Sequence, residues 1–184
     1  AIAMRNTGQV YACDNNSARL ARLKPRLQRA GLSNVQPFAI DSEADPKLSR
    51  LESKADAVLV DSPCSGFGTL RRNPDLKWRF KSDDLDRLVV QQASILKAAS
   101  RLVRPGGWLV YATCSFLREE NQDQVLAFLE QSPAFELESP MQVLEAQGIS
   151  LGRERSLEGS DKRYGMVWQT DPLRDNCDGF FAAR

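Results

Sequence analysis

Short apolar runs alternate with amphipathic helical segments along this 184-residue sequence, and this alternation restricts the fold more than any other feature. Apolar runs of roughly four to eight residues are typical of strands, whereas apolar residues three and four positions apart are typical of helices. Strands that alternate with helices predict βαβ units and a mostly parallel sheet with helices on both faces. The sequence therefore predicts an α/β fold that binds ligands beyond the carboxyl ends of its strands.

The predicted strands differ in how clearly the sequence marks them. Ala57–Val60 has no polar residue, which is typical of a strand covered on both faces, and Val10–Cys13 is also predicted to be buried. Between Pro133 and Thr170 the pattern is weak, and we expect pieces of strand and loop there. The remaining predicted strands are Asn34–Ile40, Trp108–Ala112, Met166–Trp168 and Gly179–Ala183.

The most regular helical pattern spans Leu85–Leu102, and its apolar stripe is predicted to pack in the core. Ser82 or Asp83 is a suitable N-cap for this helix, and Pro105-Gly106-Gly107 should end it. The stripe consists of Leu85, Leu88, Val89, Gln92, Ile95, Leu96, Ala99 and Leu102. The other predicted helices are Ser17–Ala30, bent or interrupted at Pro25, and Glu119–Gln131.

The composition excludes several kinds of site. The chain has no histidine, so a Ser-His-Asp or Cys-His hydrolase is excluded unless another chain supplies one. None of its four cysteines are spaced as CxxC, which argues against a zinc site, and we expect free thiols in a reducing cytoplasm. No apolar run has membrane-spanning length. The net charge of +1 neither indicates nor excludes a nucleic-acid partner.

Two carboxylates follow the first two predicted strands. Asp14 precedes a helix, where a carboxylate can accept hydrogen bonds from both hydroxyls of a ribose. Asp41 follows the next strand, where it could accept a hydrogen bond from an adenine amino group. Each residue alone could equally cap a helix or end a strand, but two in consecutive βα units favour a nucleoside cofactor. No GxGxxG accompanies them, which disfavours NAD.

Two cysteines follow two strands that are predicted to be adjacent, in Asp61-Ser62-Pro63-Cys64-Ser65-Gly66 and in Tyr111-Ala112-Thr113-Cys114-Ser115. Methyltransferases that modify an exocyclic amine of a nucleic acid carry an aromatic residue at the position of Cys64. A cysteine there indicates chemistry at a carbon atom. A free cysteine taken alone is more often a small buried residue, which is our expectation for Cys13 and Cys177.

A thiol is required if the reacting atom is carbon 5 of cytosine. That carbon is a poor nucleophile, but addition of a thiolate to carbon 6 makes the ring enamine-like and carbon 5 nucleophilic. The attacking thiol needs a lowered pKa, which a helix N-terminus or a nearby cation could provide. Asp61 could hold the cytosine amino group and stabilise the protonated ring. The base must be flipped out of a duplex or already unpaired.

These residues resemble the RNA 5-methylcytosine methyltransferases of the Nop/Sun group, which includes bacterial ribosomal RNA enzymes. The likeness runs from about Gly8 to the end of the chain and is thinnest between Pro133 and Thr170. The matching stretches are Val60-Asp61-Ser62-Pro63-Cys64-Ser65-Gly66, Arg71-Arg72-Asn73-Pro74-Asp75, Lys77-Trp78, Arg104-Pro105-Gly106-Gly107, Tyr111-Ala112-Thr113-Cys114-Ser115, Glu119-Glu120-Asn121 and Asp178-Gly179-Phe180-Phe181.

The resemblance implies a Rossmann-like class I S-adenosylmethionine-dependent methyltransferase fold, and methylation of cytosine carbon 5 in RNA, with ribosomal RNA as the expected substrate. It implies that Cys114 is the nucleophile and that Cys64 assists release of the methylated RNA. S-adenosylmethionine would bind Asp14 through its ribose and Asp41 through its adenine. Asp61 would contact the cytosine and lie near the methionine part of the donor.

The resemblance also implies that a part of the fold precedes this sequence. The family's first strand, its Gly-rich cofactor loop and its usual N-terminal RNA-binding region should come before Ala1 and are absent from the sequence. We therefore expect residues 1–184 to form one N-terminally truncated catalytic domain, with a gap in the sheet between the strands ending at Asp14 and Asp61. Arg19 matches a frequent arginine of the family and could equally lie on a solvated helix face.

The segment Arg71–Trp78 combines cations with an aromatic residue in a predicted loop beside the proposed site. We predict that Arg71, Arg72 and Lys77 contact RNA phosphates, and that Trp78 anchors the loop to the core. Two other functional classes stay open. A non-catalytic RNA-binding or assembly module has no need of both cysteines, and a nucleotide-dependent oxidoreductase is disfavoured by the missing Gly fingerprint.

Overall fold

The computed structural model describes residues 1–149, 154–156 and 166–184, with the backbone alone for 154–156. Within these ranges the chain forms two compact units, Ala1–Arg50 and Leu51–Arg184. The single catalytic domain predicted over residues 1–184 stays a prediction. None of the helices in the described ranges has both the length and the apolar character that crossing a membrane requires.

The first unit contains two parallel strands and two short helices. The helix predicted from Ser17 to Ala30 is interrupted, as expected, but the break falls at Arg22. Pro25 lies in the first turn of the second piece, where its missing N–H costs no helical hydrogen bond. The elements are β1 (Val10–Asp14), α1 (Ser17–Ala21), α2 (Leu23–Arg29) and β2 (Val35–Ala39).

β1 is not the buried strand that its apolar sequence predicts. Successive residues of a strand point to opposite faces, and on one face of β1 Tyr11 is 41% exposed and Cys13 is exposed as well. Cys177, in the turns of the second unit that precede the last strand, is also exposed. The expectation that Cys13 and Cys177 are buried is therefore wrong.

The second unit is built on a five-stranded sheet. Its strands are β3 (Ala55–Asp61), β4 (Val103–Thr113), β5 (Glu154–Ser156), β6 (Met166–Gln169) and β7 (Phe181–Ala183). The order is β3-β4-β7-β6-β5, in which only β3 and β4 pair in parallel. The prediction of a mostly parallel sheet is therefore wrong for this unit, whose sheet is mixed. The connections between its last three strands are too short for the crossover that a parallel pair needs.

The weakly patterned stretch from Pro133 to Thr170 contains the predicted strand near Met166–Trp168, which β6 confirms. The last predicted strand is confirmed as β7. The strand and loop pieces expected at residues 150–153 and 157–165 lie outside the described residues.

The helices of the second unit are α3 (Leu76–Arg79), α4 (Ser82–Ser100), α5 (Gln122–Gln131) and α6 (Pro140–Glu145). α4 confirms the longest predicted helix, but its N-cap is Lys81 rather than Ser82 or Asp83. The Lys81 N–H donates a hydrogen bond of 3.1 Å to Asp84 Oδ2, which replaces a side-chain cap. α4 ends before Pro105-Gly106-Gly107, which lie inside β4 instead.

The core of the second unit lies between the sheet and helices α4 and α5. Leu96 of α4 and Leu129 of α5 are each 2% exposed, and Val167 of β6 is fully buried. β3 is covered on one face only, because Val60 is buried whereas Leu59, on the opposite face, is 70% exposed. The prediction that both faces of this strand are covered is wrong. The core cluster consists of Val60, Leu96, Ala99, Tyr111, Val125, Leu129, Val167, Phe181 and Ala183.

Replacement of Leu96 by Ala tests this core. We expect Leu96→Ala to lower the free energy of unfolding by about 2–5 kcal/mol, because it removes buried apolar surface and leaves a cavity. Val90→Ala on the same helix is the matched control, since Val90 is 71% exposed, and should change stability by less than about 0.5 kcal/mol. Urea unfolding followed by circular dichroism measures both. Equal losses in the two variants would contradict the assigned core.

Candidate active site

The carboxyl ends of β3 and β4 bring two thiols together. The strands pair in parallel, with Asp61 beside Ala112, and each continues into a loop that carries one cysteine. The Sγ atoms of Cys64 and Cys114 lie 3.4 Å apart, within hydrogen-bonding distance, and both residues are half-buried. The prediction that these two cysteines share one edge of the sheet is confirmed.

The hydrogen bond between the two thiols makes them chemically unequal. It lowers the pKa of Cys114 to about 7, assisted by the Cys114 backbone N–H and opposed by burial and by the charges of Asp61 and Glu120. The same hydrogen bond, followed by burial, raises the pKa of Cys64. Cys114 is therefore the thiol that ionises more readily, and Cys64 is the one that donates to it. The cause is a neighbouring thiol, rather than the helix N-terminus or cation expected from the sequence.

A buried carboxylate joins the loop of Cys64 to α4. Glu120 is fully buried, and its Oε1 accepts hydrogen bonds from the Ser65 N–H at 2.7 Å and from Gln92 Nε2 at 3.1 Å. Its Oε2 accepts one from Ser65 Oγ at 2.6 Å, and Gln92 also donates to the Pro63 carbonyl at 2.9 Å. These donors replace the water that a carboxylate loses on burial. Sequence reasoning missed this role of Gln92, although it is the one polar member of the apolar stripe.

The loop of Cys114 is held on both sides of the cysteine by Asn121, which is fully buried. Asn121 Oδ1 accepts a hydrogen bond of 2.5 Å from Thr113 Oγ1, and its Nδ2 donates one of 3.0 Å to the Ser115 carbonyl. The Ser115 and Ser65 hydroxyls lie 3.3 Å apart, which links this loop to that of Cys64. The position of the nucleophilic sulfur therefore depends on buried polar contacts.

Gly68 provides a further link between the two loops. Its N–H donates to the Cys114 carbonyl at 3.0 Å, and its carbonyl accepts from the Gly179 N–H at 2.8 Å. A Cβ at Gly68 would lie 1.9 Å from the Gly179 oxygen and 2.8 Å from the Cys114 oxygen. Only glycine allows this close approach of three backbone segments.

Asp61 is the last residue of β3 and is exposed. Its negative charge raises the pKa of Cys114, so the carboxylate and the thiol lie within electrostatic reach of each other. An exposed carboxylate in this position can accept a hydrogen bond from the amino group of a base that approaches Cys114.

In the first unit, Asp14 and Asp41 follow the carboxyl ends of two adjacent parallel strands. Asp14 Oδ1 accepts a 2.8 Å hydrogen bond from the Asn16 N–H and pairs with Arg19 at 3.3 Å, while α1 is capped by Asn16. Asp41 is exposed, and its N–H donates to the buried carboxylate of Asp45 at 2.8 Å. Asp14 is therefore not a helix cap, and carboxylates so placed fit the hydroxyl and amino donors of a nucleoside.

The three predicted RNA-binding residues, Arg71, Arg72 and Lys77, are exposed. Arg72 forms an ion pair with Asp178, so its charge is partly engaged within the chain. Trp78 is 80% exposed, and the expectation that it anchors the loop to the core is wrong, because it lies on the solvent side of the four-residue helix α3. The Lys77 Nζ lies 5.0 Å from the centroid of the Trp78 ring.

The chain is similar to ribosomal RNA methyltransferases over its whole length. The family described as 16S rRNA methyltransferase RsmB/F matches residues 1–184. Ribosomal RNA small subunit methyltransferase B of Shewanella oneidensis is 34% identical over 177 residues, 96% of this chain and 37% of that protein. The probable ribosomal RNA small subunit methyltransferase B of Bacillus subtilis is 39% identical over 133 residues, 72% of this chain and 30% of that protein. The chain thus spans about a third of the length of these relatives.

Two solved structures from Pyrococcus horikoshii share the fold. NSun6 with SFG has a TM-score of 0.77 and 28% identity, and the match covers 100% of this chain and 42% of that one. A methyltransferase homolog protein has a TM-score of 0.75 and 28% identity, with 98% and 53% covered. The chain therefore has an α/β fold that matches the class I S-adenosylmethionine-dependent methyltransferases.

The chain belongs to the RsmB/F (NOL1/NOP2/Sun) family of RNA 5-methylcytosine methyltransferases. The resemblance seen in the two cysteine motifs is thereby confirmed. A match to this family over residues 1–184 also removes the oxidoreductase alternative.

The pH dependence of alkylation at Cys114 tests the inequality of the two thiols. With Cys13 and Cys177 replaced by Ser, the rate should rise with pH around a midpoint of about 7, since the thiolate is the reactive form. Cys64→Ala removes the hydrogen bond that lowers this pKa and leaves the effects that raise it. The midpoint should then move up toward 9.0, the ordinary value, and alkylation at pH 7 should slow by about ten-fold or more.

Cys64→Ser is the matched control for this experiment. Its hydroxyl still donates to the Cys114 thiolate, so the midpoint should stay below that of Cys64→Ala. Mass spectrometry of the Cys114 peptide separates its alkylation from that of Cys64. An unchanged midpoint in Cys64→Ala would show that Cys64 does not set the pKa of Cys114.

Proposed function

We propose that this chain carries the catalytic site for S-adenosylmethionine-dependent methylation of cytosine carbon 5 in RNA, with ribosomal RNA as the substrate. The observation that carries the proposal is the contact of 3.4 Å between the sulfur atoms of Cys64 and Cys114 beyond the ends of β3 and β4, which lowers the pKa of Cys114 to about 7. Covalent catalysis at a ring carbon needs a nucleophile that is charged near neutral pH. The names of the relatives support ribosomal RNA as the substrate class.

Three carboxylates are proposed to hold the methyl donor. S-adenosylmethionine, when bound, supplies the methyl group that carbon 5 takes up. Asp14 would accept hydrogen bonds from its ribose hydroxyls, Asp41 would accept one from its adenine amino group, and Asp61 would lie near its methionine part. In support, all three residues follow carboxyl ends of parallel strands, where α/β folds bind their ligands.

In the proposed first step the Cys114 thiolate adds to carbon 6 of the cytosine. A sulfur–carbon bond forms, and the electron pair of the carbon 5–carbon 6 double bond moves into the ring, which makes carbon 5 nucleophilic. Asp61 accepts a hydrogen bond from the cytosine amino group and stabilises the protonated ring. The lowered pKa of Cys114 supports its role, because the thiolate is the nucleophilic form.

In the proposed last step the proton leaves carbon 5, the double bond re-forms, and the Cys114 thiolate is expelled. The hydrogen bond to Cys114 and the negative charge of Cys114 both raise the pKa of Cys64. While Cys114 is bonded to carbon, both effects are absent. Cys64 can then give its thiol proton to solvent and take up the proton from carbon 5. In this order of steps, Cys64 has the role of releasing the methylated RNA.

The cations near the site are proposed to bind the RNA backbone. Arg71, Arg72 and Lys77 are exposed and lie in or beside α3, seven to thirteen positions after Cys64 in the chain. The target cytosine must be unpaired or flipped out to reach the half-buried thiols. In a reducing cytoplasm the two neighbouring thiols stay unoxidised.

Methyl transfer tests the proposed function directly. The protein that carries this chain, with labelled S-adenosylmethionine and ribosomal RNA, should place label on cytosine carbon 5. Cys114→Ala should abolish the label. Cys64→Ala should accumulate a covalent protein–RNA adduct on a denaturing gel, because addition still occurs, more slowly without the Cys64 hydrogen bond, and release fails.

Cys177→Ala is the control, since Cys177 is exposed and outside the site; it should methylate like the unchanged protein. Full activity in Cys114→Ala would refute the assigned nucleophile. No transfer to any cellular RNA would favour the non-catalytic module.

Asp14→Asn tests the proposed donor site. Loss of the charge weakens hydrogen bonds to the ribose, so the affinity for S-adenosylmethionine should fall by roughly 10- to 100-fold. Asp56→Asn is the control, because Asp56 lies in a surface ion pair with Arg104 and its side chain is 84% exposed. Isothermal titration measures both, and equal affinities would exclude Asp14 from the donor site.

A further inference from the structure

A cavity of about 390 Å³ opens beside Cys64 in the second unit. Cys64 and Ser65 line one side, and α3, Phe80 and the first turns of α4 line the other. Among the described residues, neither Cys114 nor Asp61 lines this cavity. The cavity therefore lies beside Cys64, next to the Cys114 thiol that is proposed to react, and does not include Cys114. Its volume lies at the small end of ligand sites, about 300–1,000 Å³, and suits one nucleotide.

One wall of the cavity is apolar and aromatic. Leu76, Phe80 and Leu88 contribute to it, and all three are half-buried. The Phe80 ring packs edge-on against Phe67, with centroids 4.8 Å apart, and Phe67 lies 6.2 Å from Phe116. Phe67 follows Cys64 by three positions and Phe116 follows Cys114 by two, so this aromatic row connects the two cysteine loops. Aromatic rings beside a reactive site are the surfaces on which unpaired bases stack.

Two arginines, Arg79 and Arg87, and the acidic residue Asp84 also line the cavity. Arg79 pairs with Asp75 at 2.7 Å and Arg87 pairs with Asp84 at 2.6 Å. The arginine side chains are 68% and 74% exposed, so these ion pairs are in water and contribute little. Each guanidinium has five N–H donors, more than its acidic partner occupies. Both arginines can therefore exchange that partner for a phosphate, which they bind through two parallel hydrogen bonds.

We propose that this cavity holds the nucleotide adjacent to the reacting cytosine in single-stranded RNA. Its base would pack against Phe80, and its phosphate would bind Arg79 and Arg87. The proposal rests on the proposed function, because it takes Cys114 as the point at which the target base reacts.

The test combines a change in the protein with a change in the RNA. Once bisulfite sequencing has located the methylated cytosine, substrates are made with an abasic nucleotide on one or the other side of it. With the unchanged protein, an abasic site on one side should lower kcat/KM by roughly ten-fold, the size of one lost stacking contact. In Phe80→Ala the same abasic site should cost less than about two-fold, because the contact is already missing.

Arg79→Gln and Arg87→Gln should each raise KM for RNA several-fold, leave kcat unchanged and reduce the dependence of KM on salt. Arg101→Gln is the matched control at the C-cap of α4, roughly 20 Å along the helix from Arg87, and should have none of these effects. Phe80→Leu replaces Phe80→Ala if the latter fails to fold, since it keeps apolar volume but has no ring.

Two results would overturn the proposal. One is an abasic penalty as large in the Phe80 variants as in the unchanged protein, and the other is an RNA KM that responds equally to Arg101→Gln and to the two cavity arginines. Failure of the proposed function gives a different result, namely no 5-methylcytosine with the unchanged protein. In that case anisotropy of a labelled cytosine-rich RNA, with and without abasic sites, decides the cavity: an abasic penalty in affinity that Phe80→Leu abolishes supports it, and a penalty that persists refutes it.

Discussion

The geometry of the site depends on the hydrogen bonds that the buried carboxylate of Glu120 accepts. It accepts hydrogen bonds from the loop that follows β3 and from Gln92 of α4, while its own segment follows β4 in the chain. A buried charge is strongly destabilising without such donors. The Glu120 carboxylate, the N–H and hydroxyl of Ser65 and the Gln92 amide must therefore stay together in the folded state. Their fixed arrangement brings the two loops, and therefore the two sulfur atoms, into contact.

The lowered pKa of Cys114 follows from that contact and not from a positive charge. The charges of Asp61 and Glu120, which act on this thiol, are both negative and oppose its ionisation. The Cys64 thiol overcomes them by donating a hydrogen bond at 3.4 Å. In the proposed mechanism Cys64 thus has two effects at different stages: it stabilises the thiolate before attack, and it becomes more acidic once the thiolate has been consumed. A pair of thiols can provide this exchange, whereas an arginine beside Cys114 would stabilise the thiolate without becoming a base.

Each of the two units carries part of the predicted site residues. Asp14 and Asp41 lie at the end of a two-stranded parallel sheet, and the thiols lie at the end of the one parallel pair in a mixed sheet of five. The predicted site residues therefore end or follow strands that pair in parallel, β1 with β2 and β3 with β4. Antiparallel strands β5 to β7 complete the second sheet, and β7 is preceded by Gly179, which contacts Gly68 in the Cys64 loop. The stretch from Pro133 to Thr170, which has no clear sequence pattern, is thus followed by β7. The contact of Gly179, just before β7, with Gly68 supports the Cys64 loop.

Local signals were sufficient for the main strands, for α4 and for the two cysteine motifs, because periodicity and strand-end chemistry are properties of neighbouring residues. They missed the short helices α3 and α6, which lie where only loop or pieces of strand and loop were expected. The sequence identified α4, the strands from β1 to β4, and both thiols at one sheet edge. It predicted burial poorly at Cys13, Leu59 and Trp78, since exposure depends on which face another element covers. Helix ends were also misplaced, at Lys81 for example, where a backbone-to-carboxylate hydrogen bond replaces a capping side chain.

What the sequence determined by itself is the chemistry available: two cysteines and an aspartate in motifs that end strands, with no histidine to serve as a base. What only the tertiary structure decided is which thiol ionises more readily. Cys64 and Cys114 are fifty positions apart in the chain, and a pKa responds to atoms a few ångströms away. The hydrogen bond that distinguishes them exists only after β3 and β4 have paired and the polar contacts of Glu120 and Asn121 have fixed the two loops.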